Sequence, residues 1–510
     1  MALICAIFTG CAVGPNYRRP EAKVSPGFGE ITVGNSNITS RATSNSPAVE
    51  WWHSFKDAEL DHLIDEALKQ NYNLRIAMAR VREARYQRSI VAADLLPNVD
   101  ADSGYWHGRG SKNVTLPLGG GGAGAGGKSS ASPKTRSDPP GGGISGSSAG
   151  SDQLTPFGKG GLPGVTSSLY QIGFDSNWEL DVFGGTRRRL EAAADDLAAS
   201  VEGLHDITIT LLAEVARNYI ELRGTQQRLK VARENLAAQQ ETLELTVSRA
   251  NAGLTSRADV TRAAAQLATT SATVPPLQAS VRQSIHLLST LVAQEPTALS
   301  AELETNQPLV FLPPEVPVGL PSELLKRRPD IRRAERQMAA ATARIGSAEA
   351  DLFPKFALTG GVGLDSTSTG SLFDWQSRYF FISPTVTWRV FDAGRIISNV
   401  ALQKAARQES LWQYRNTTLT ALREVEDGLV AYATEQERRN ALAEALKQNQ
   451  DSLGLIRNQY QNGLATFLEV LDAQRNVLFA QDELAQADQT LGTDLVTLYK
   501  ALGGGWETRK

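Results

Sequence analysis

The chain contains an internal duplication. The sequence Asp-Leu-Leu-Pro at 94–97 returns as Asp-Leu-Phe-Pro at 351–354, and the glycine turn at Gly253 returns at Gly463. The first pair lies further apart because a Gly/Ser-rich insertion, residues 107–167, lengthens the first half. The sequence of each half predicts the same order of elements: a helix, two strands, a long helix, a tight glycine turn and a return helix. A duplicated unit with such long helices and so few strands is hard to close as one globule, so we expect a subunit of a larger assembly.

Composition excludes several classes of function. The 510 residues carry 52 basic and 55 acidic side chains, and this net charge of −3 indicates no nucleic-acid partner. No run approaches the roughly 20 apolar residues of a membrane-spanning helix. The five histidines lack the spacing of metal ligands, and no hydrolase or zinc signature is present. A phosphate-loop pattern at 122–129 has no strand before it and no helix after it. We therefore expect no enzyme activity, catalytic residue, metal or cofactor.

The N-terminus predicts a lipid anchor. Residues 1–10 form a short apolar stretch that ends in small residues before Cys11. This pattern resembles the lipobox of bacterial lipoproteins, so we interpret 1–10 as a signal remnant and Cys11 as the acylated residue. Ala12 follows, where an Asp would indicate retention in the inner membrane, and this indicates the outer membrane. The alternative is an ordinary apolar stub with a chance cysteine.

The other boundaries follow from composition and periodicity. Residues 11–56 are rich in Pro, Gly, Ser, Asn and Thr and predict an extended, lipid-anchored arm. The first repeat takes 57–300 and the second 321–502, joined by a linker at 301–320 and followed by a tail at 503–510. The side chains expected to pack the arm onto the helices are Trp51, Trp52 and Phe55.

Each half supplies two amphipathic strand patterns. The apolar positions of the clearest strand are Tyr170, Ile172, Phe174, Trp178 and Leu180. Those of the last strand are Phe380, Ile382, Val386, Trp388 and Val390. Strands that are apolar on one side and polar on the other fit lipid outside and water inside. A half-solvated soluble sheet has the same alternation, but no other segment has the apolar content to pack against this one.

Long helices make up the rest. Proline is absent from Thr186 to Ala250, and a partner of similar length runs from Ile396 to Gln461. At 1.5 Å per residue, each is a rod of about 100 Å. The return helices span Ser256 to Gln294, with a break expected at Pro275-Pro276, and Thr466 to Leu502. Their small, widely spaced apolar residues suit helix-on-helix seams more than a thick core.

The number of strands requires an oligomer. Four strands cannot close a transmembrane barrel, for which about eight is the working minimum. An open sheet would leave unpaired backbone groups in lipid, where each costs several kcal/mol. Two copies would give eight strands, filled by side chains, whereas three would give twelve and leave room for a pore.

Several segments together resemble the TolC-like outer-membrane factors, and specifically their lipoprotein branch of NodT-type efflux channels. These segments are 11–20, with its lipobox cysteine, 178–184, 327–331 and 391–395. The resemblance implies an α+β membrane protein that assembles as a homotrimer. It also implies a 12-stranded barrel in the outer membrane of a Gram-negative bacterium, continued by a 12-helix α-barrel in the periplasm.

The same resemblance assigns the periplasmic tip of the tunnel. The helix turns at Gly253 and Gly463 would form this tip, where glycine also serves as a left-handed helix cap. Glu469 and Asp472 match the family's carboxylate ring by their spacing from Gly463. In a trimer they would place six carboxylates around a narrow bore, which repels anions and attracts cations. The alternative is that they are solvated residues at a helix end.

A latch that closes the tip is implied as well. Asp259 and Tyr460 match two members of this latch, and the same alternative of a solvated helix end applies to them. The family's latch arginine is replaced here by Ala465, and Arg257 lies near enough in sequence to substitute for it.

The function implied is a passive exit duct for drugs or other small molecules. An inner-membrane pump would deliver them through a periplasmic adaptor protein, and outer-membrane lipid would surround the barrel. One alternative within the same fold is the exit duct of a type I protein secretion system. Another, from a different class, is a coiled-coil structural protein without a pore.

Overall fold

A computed structural model of the protein describes residues 12–20, 24–32, 41–43, 49–109, 166–305, 313 and 315–507. The expectations for residues 1–10, for Cys11 and for the segment at 122–129 fall outside these residues. The chain divides into two compact units. The sheet unit comprises Asp94–Val182 and Pro354–Val390, and the remaining segments form the helical unit.

The helical unit contains ten α-helices among the described residues. In the first repeat they are α1 (Ala58–Gln70), α2 (Tyr72–Ala93), α3 (Gly185–Asn251), α4 (Arg257–Ser271) and α5 (Val274–Leu291), and α6 (Ser300–Leu303) lies at the boundary with the linker. In the second repeat they are α7 (Pro321–Arg327), α8 (Pro329–Ala350), α9 (Arg395–Gln461) and α10 (Phe467–Ala501). No helix among the described residues combines the length and the apolar character that a membrane span requires.

Helix α1 begins at the residue that the periodicity predicts. The Asp57 carboxylate accepts hydrogen bonds from the backbone N–H groups of Glu59 (3.0 Å) and Leu60 (3.2 Å), which satisfies donors that a helix start leaves unpaired. The apolar residues Leu60, Leu63, Ile64 and Ala67 recur at helical spacing and are buried. Asn71 separates α1 from α2 and donates from its side chain to the Leu291 carbonyl at 2.8 Å.

The two long helices agree with the prediction to within one residue at each end. Helices α3 and α9 have 67 residues each, so both are rods of about 100 Å. The return helix of the first repeat breaks at Ala272–Thr273, because Pro275 and Pro276 lie in the first turn of α5. The return helix of the second repeat, α10, is unbroken.

Among its described residues, the sheet unit contains four antiparallel strands, as predicted. They are β2 (Asn98–Arg109), β3 (Thr166–Leu180), β5 (Lys355–Ser366) and β6 (Arg378–Thr387), which pair in the order β2-β3-β5-β6. The ladder continues through Arg109 opposite Thr166, so the two ends of the stretch 107–167 are strand. Trp388 and Val390 lie beyond β6, because the partner strand β5 begins at Lys355 opposite Thr387. The prediction that the last strand continues through Trp388 and Val390 is therefore wrong.

The apolar face of this sheet is left uncovered by the other described residues of the sheet unit. Phe380 is 84% exposed and Ile382 is 74% exposed, and Phe174, Val362 and Val386 are also exposed. A soluble half-solvated sheet would bury its apolar face against other elements of its domain. The exposure therefore favours a lipid-facing surface.

A small second sheet joins the arm to the stretch between the repeats. Strand β1 (Arg41–Thr43) pairs in parallel with β4 (Glu315–Pro317). The stretch 301–320 thus contains strand β4 and most of α6, and Val316 within it is fully buried. Earlier in the arm, the Gly29 and Glu30 N–H groups donate to the Glu426 carboxylate of α9 (2.9 and 3.1 Å).

Asp494 of α10 makes stability depend on pH. Burial and the nearby Glu435 carboxylate raise the pKa of Asp494 to about 6, and Arg217 opposes this shift. Glu435 is paired with Arg438 at 2.8 Å. Because the folded-state pKa lies above the ordinary value, ionisation of Asp494 lowers the stability of the native state. This loss of stability is complete above about pH 6 and disappears as the pH falls to about 4, the ordinary aspartate pKa.

We therefore expect Asp494→Asn to raise the free energy of unfolding at neutral pH by about 1 kcal/mol, once solvent screening is allowed for. The gain should vanish at a pH near the ordinary aspartate pKa of about 4. Urea titrations at the two pH values measure this difference. A gain of equal size at both would contradict the assignment.

Candidate gate at the helix turns

The two repeats turn at glycines with left-handed backbone conformations. Gly253 has φ +72° and Gly463 has φ +73°, a region that residues with a Cβ adopt at a cost. The N–H of Leu254 donates to the Arg249 carbonyl at 2.9 Å, and that of Leu464 to the Gln459 carbonyl at 2.8 Å. Both turns are therefore Schellman caps, which close α3 and α9 in the same way.

Each return helix then begins with a capping box. Ser256 and Asp259 bond reciprocally at the start of α4, with the Asp259 N–H donating to Ser256 Oγ at 3.2 Å. Thr466 and Glu469 do the same at the start of α10, where the Thr466 N–H donates to Glu469 Oε2 at 2.7 Å. Asp259 and Glu469 therefore have a structural role, because each satisfies a donor at a helix N-terminus.

The Asp259 carboxylate is held by groups of its own turn. It accepts from the Thr255 hydroxyl at 2.9 Å and pairs with Arg262 at 3.2 Å. Slight burial raises the pKa of Asp259, but the hydrogen bonds from Ser256 and Thr255 outweigh it, so the pKa lies below its ordinary value. The carboxylate is thus ionised at neutral pH.

Tyr460 lies in a small core that joins the two turns. This core contains the buried residues Ala263, Tyr460, Phe467, Val470 and Leu471. The Tyr460 ring packs on Phe467 with 6.0 Å between centroids. The Tyr460 hydroxyl is buried without a hydrogen-bond partner in the part of the chain that is described, so it does not bond to Asp259 within one chain. The two candidate latch residues therefore lie at the same end of the unit, but one chain alone does not link them, and the latch stays a prediction.

Arg249 is a tip residue that the sequence argument missed. Its guanidinium carbon lies 4.7 Å from the centre of the Tyr460 ring, which is cation–π geometry. Sequence reasoning proposed Arg257 as the substitute cation at the tip, whereas the cation over Tyr460 is Arg249 of the last turn of α3. Ala465 packs against the same core. The sequence did contain one indication of this role, because Arg249 is a basic residue in the last turn of a helix, where positive charge is favourable.

We predict that Arg249→Ala loosens the tip. The cation–π contact contributes about 1 kcal/mol, so amide hydrogen exchange in residues 455–463 is expected to accelerate about fivefold. Arg257→Ala is the matched control, because it removes the same group from the neighbouring turn. Equal acceleration in both variants would show that the loss of charge, and not the contact with Tyr460, is responsible.

Glu469 and Asp472 lie on the exposed surface of α10. The Asp472 carboxylate is 3.9 Å from the Arg475 guanidinium, which also donates to Gln266 of α4 at 2.6 Å. Both carboxylates are therefore accessible, and their role in a bore stays a prediction. Among the described residues, no group of three or more His, Cys, Asp or Glu side chains is placed to hold a metal.

The residues that follow the expected anchor are clamped to α3. The Val13 N–H donates to the Phe183 carbonyl at 3.0 Å. Arg188, whose side chain is 6% exposed, donates to the carbonyls of Val13 (3.1 Å) and Gly14 (3.2 Å) and to Asn16 Oδ1 (2.8 Å). The arm is thus fixed from its first described residues, a feature that its composition did not predict.

Comparison with known proteins supports a single family. A family model described as outer membrane efflux protein matches residues 63–294 and 320–504. The solvent efflux pump outer membrane protein SrpC of Pseudomonas putida is 30% identical over 501 residues, covering 98% of this chain and 96% of that protein. Nodulation protein T of Rhizobium leguminosarum bv. viciae is 29% identical over 514 residues, covering 100% and 94%.

Solved structures show the same similarity. The outer-membrane channel OprN matches with a TM-score of 0.83 and 32% identity, covering 98% of this chain and 100% of that chain. The open state of the MtrE outer membrane channel of Neisseria gonorrhoeae matches with a TM-score of 0.77 and 27% identity, covering 97% and 99%.

Proposed function

The chain belongs to the outer membrane efflux protein family, and we propose that three copies of it close a twelve-stranded barrel in the outer membrane and a twelve-helix barrel in the periplasm. The protein is an outer-membrane efflux channel, so the resemblance drawn from the sequence is confirmed. The observation that best supports the trimer is the four-stranded sheet with β2 and β6 at its edges. Each edge strand has one neighbouring strand among the described residues, and lipid tolerates no open edge.

The channel serves as the passive exit duct of a tripartite system. An inner-membrane pump supplies the energy, and a periplasmic adaptor docks at the helix turns. The turns present Leu254 and Leu464, both largely exposed, as apolar contacts for such an adaptor. Relatives are named for solvent, toluene and antibiotic efflux, which supports small apolar or amphiphilic compounds as the cargo and disfavours a protein secretion duct.

Reconstitution tests the proposed assembly. Purified protein in detergent should have the mass of three chains by native mass spectrometry and should give discrete conductance steps in planar bilayers. A folded trimer without conductance would favour a structural protein. A monomer that stays soluble without detergent after removal of its acyl group would contradict the shared barrel.

The lipid anchor can be tested separately. We propose that Cys11 carries the acyl chains, which hold the arm to the membrane with about 0.8 kcal/mol per buried methylene. Cys11→Ser should abolish incorporation of labelled palmitate, whereas Cys5→Ser should leave the mature protein labelled. Persistent labelling of the Cys11→Ser protein would show that another residue is acylated or that the N-terminal cysteine is a chance feature.

A further inference from the structure

Helix α10 exposes a single face near the turn. In the segment 467–480, the exposed residues are Leu468, Glu469, Asp472, Arg475, Asn476 and Phe479, which we call the open face. At about 100° per residue, these six positions fall within a sector of roughly 120°. The buried positions between them include Val470, Ala473, Val477 and Ala480. Glu469 and Asp472, the two carboxylates expected to line the bore, therefore point to the same side of α10 as Phe479.

One flank of α10 is occupied by helix α3 of the same chain. There, Arg228 binds the Asp482 carboxylate with two hydrogen bonds (2.8 and 3.0 Å). Glu483 of α10 lies one turn beyond Phe479 and about 40° from it around the helix, and it pairs with Arg438 of α9 at 2.7 Å. Helix α9 therefore reaches this side of α10 beyond Phe479, whereas within 467–480 the open face is exposed to water or to a bore.

Phe479 is the most exposed apolar side chain of this face. It is 68% exposed, in a helix whose other face is well packed. It follows Asp472 by seven residues, which places it about 10 Å further along the helix and within roughly 20° of the same direction. If the carboxylates line a bore, the phenyl ring lines it too, at a separate level.

We propose that Phe479 is a specificity-determining residue of the channel. This inference rests on the trimer and the bore-facing carboxylates proposed above. In that assembly, three phenyl rings form an apolar collar about 10 Å beyond the Asp472 carboxylates. An apolar constriction disfavours hydrated ions, because water withdraws from it. Apolar and amphiphilic compounds keep favourable contacts with the rings and pass. The carboxylates thus select by charge and the collar by polarity.

Two substitutions test the collar in planar bilayers. Phe479→Ala should raise the single-channel conductance for potassium chloride about twofold, because the apolar constriction is removed. Phe479→Cys should react with a cationic methanethiosulfonate reagent and change conductance within the open channel. The natural cysteines are Cys5 and Cys11, both more than 450 positions away in the sequence. Leu455 of α9, similarly exposed at 67%, provides the matched Leu455→Ala and Leu455→Cys controls.

The outcomes separate the collar from the wider proposal. If Phe479→Ala has unchanged conductance and the thiol of the Phe479→Cys protein is inert, while neutralising Glu469 and Asp472 alters ion selectivity, the collar is wrong and the duct stands. If neither Phe479 nor the two carboxylates influence conduction in an intact trimer, the open face does not line the bore and both fail. Reaction of the thiol with a conductance change supports the collar even if Phe479→Ala assembles poorly.

Discussion

Replacing Glu469 and Asp472 with alanine is expected to remove most of the cation preference of the channel. The two side chains lie three residues apart on the exposed surface of α10, so the proposed three-fold assembly would place six carboxylates in two rings about 5 Å apart along the bore. A ring of carboxylates attracts cations and repels anions in a narrow pore. Under a tenfold salt gradient, a fully cation-selective pore has a reversal potential of about 59 mV. We expect the double variant to move the measured value most of the way to zero.

A second pair of substitutions separates charge from helix capping. Glu469→Ala also removes the hydrogen bond from the Thr466 N–H, and a single hydrogen bond contributes about 0.5–1.5 kcal/mol. Glu469→Gln with Asp472→Asn removes the same charges, and glutamine can still complete the box. Both double variants should therefore lose selectivity equally. A reversal potential equal to that of the natural protein in both would rule out the filter role.

The long helices were predictable because no proline interrupts them and glycine is scarce in them. Proline is absent throughout α3 and α9, and both begin after a left-handed glycine, Gly184 or Gly394. The strand ends were less predictable. Pairing with β3 extends β2 to Arg109 through polar and glycine positions. Beyond Thr387 the alternation of apolar and polar residues continues, but β5 begins opposite Thr387 and offers no residue to pair with them.

Only those parts of the candidate site that depend on residues close in sequence were predictable. The glycine caps and the carboxylates at 259 and 469 belong to short sequence patterns, because each carboxylate lies three residues after the N-cap residue that it bonds. The contact of Arg249 with Tyr460 joins residues more than two hundred positions apart. The clamp of Arg188 on the arm is likewise a long-range contact. Such contacts depend on packing between helices, which local spacing does not encode.

The arm aromatics predict the largest effect on stability. Trp51 is 1% exposed and stacks on Tyr499 of α10, with 5.1 Å between ring centroids and an 18° interplanar angle. Trp52 and Phe55 meet it edge to face. This group belongs to the main core of the helical unit, which also contains residues of α1, α3 and α9. The arm is therefore part of the core of both repeats.

Trp51→Ala is expected to lower the free energy of unfolding of the helical unit by about 3–5 kcal/mol, because it leaves a large cavity and removes an aromatic stack. Urea titration followed by circular dichroism at 222 nm, which reports helix, measures the loss. The matched control is Trp375→Ala, since Trp375 is largely exposed in the loop between β5 and β6 and surface substitutions usually cost less than about 0.5 kcal/mol. If Trp51→Ala were no more destabilising than Trp375→Ala, the arm would be a tether on the surface of the helices and would contribute nothing to joining the repeats.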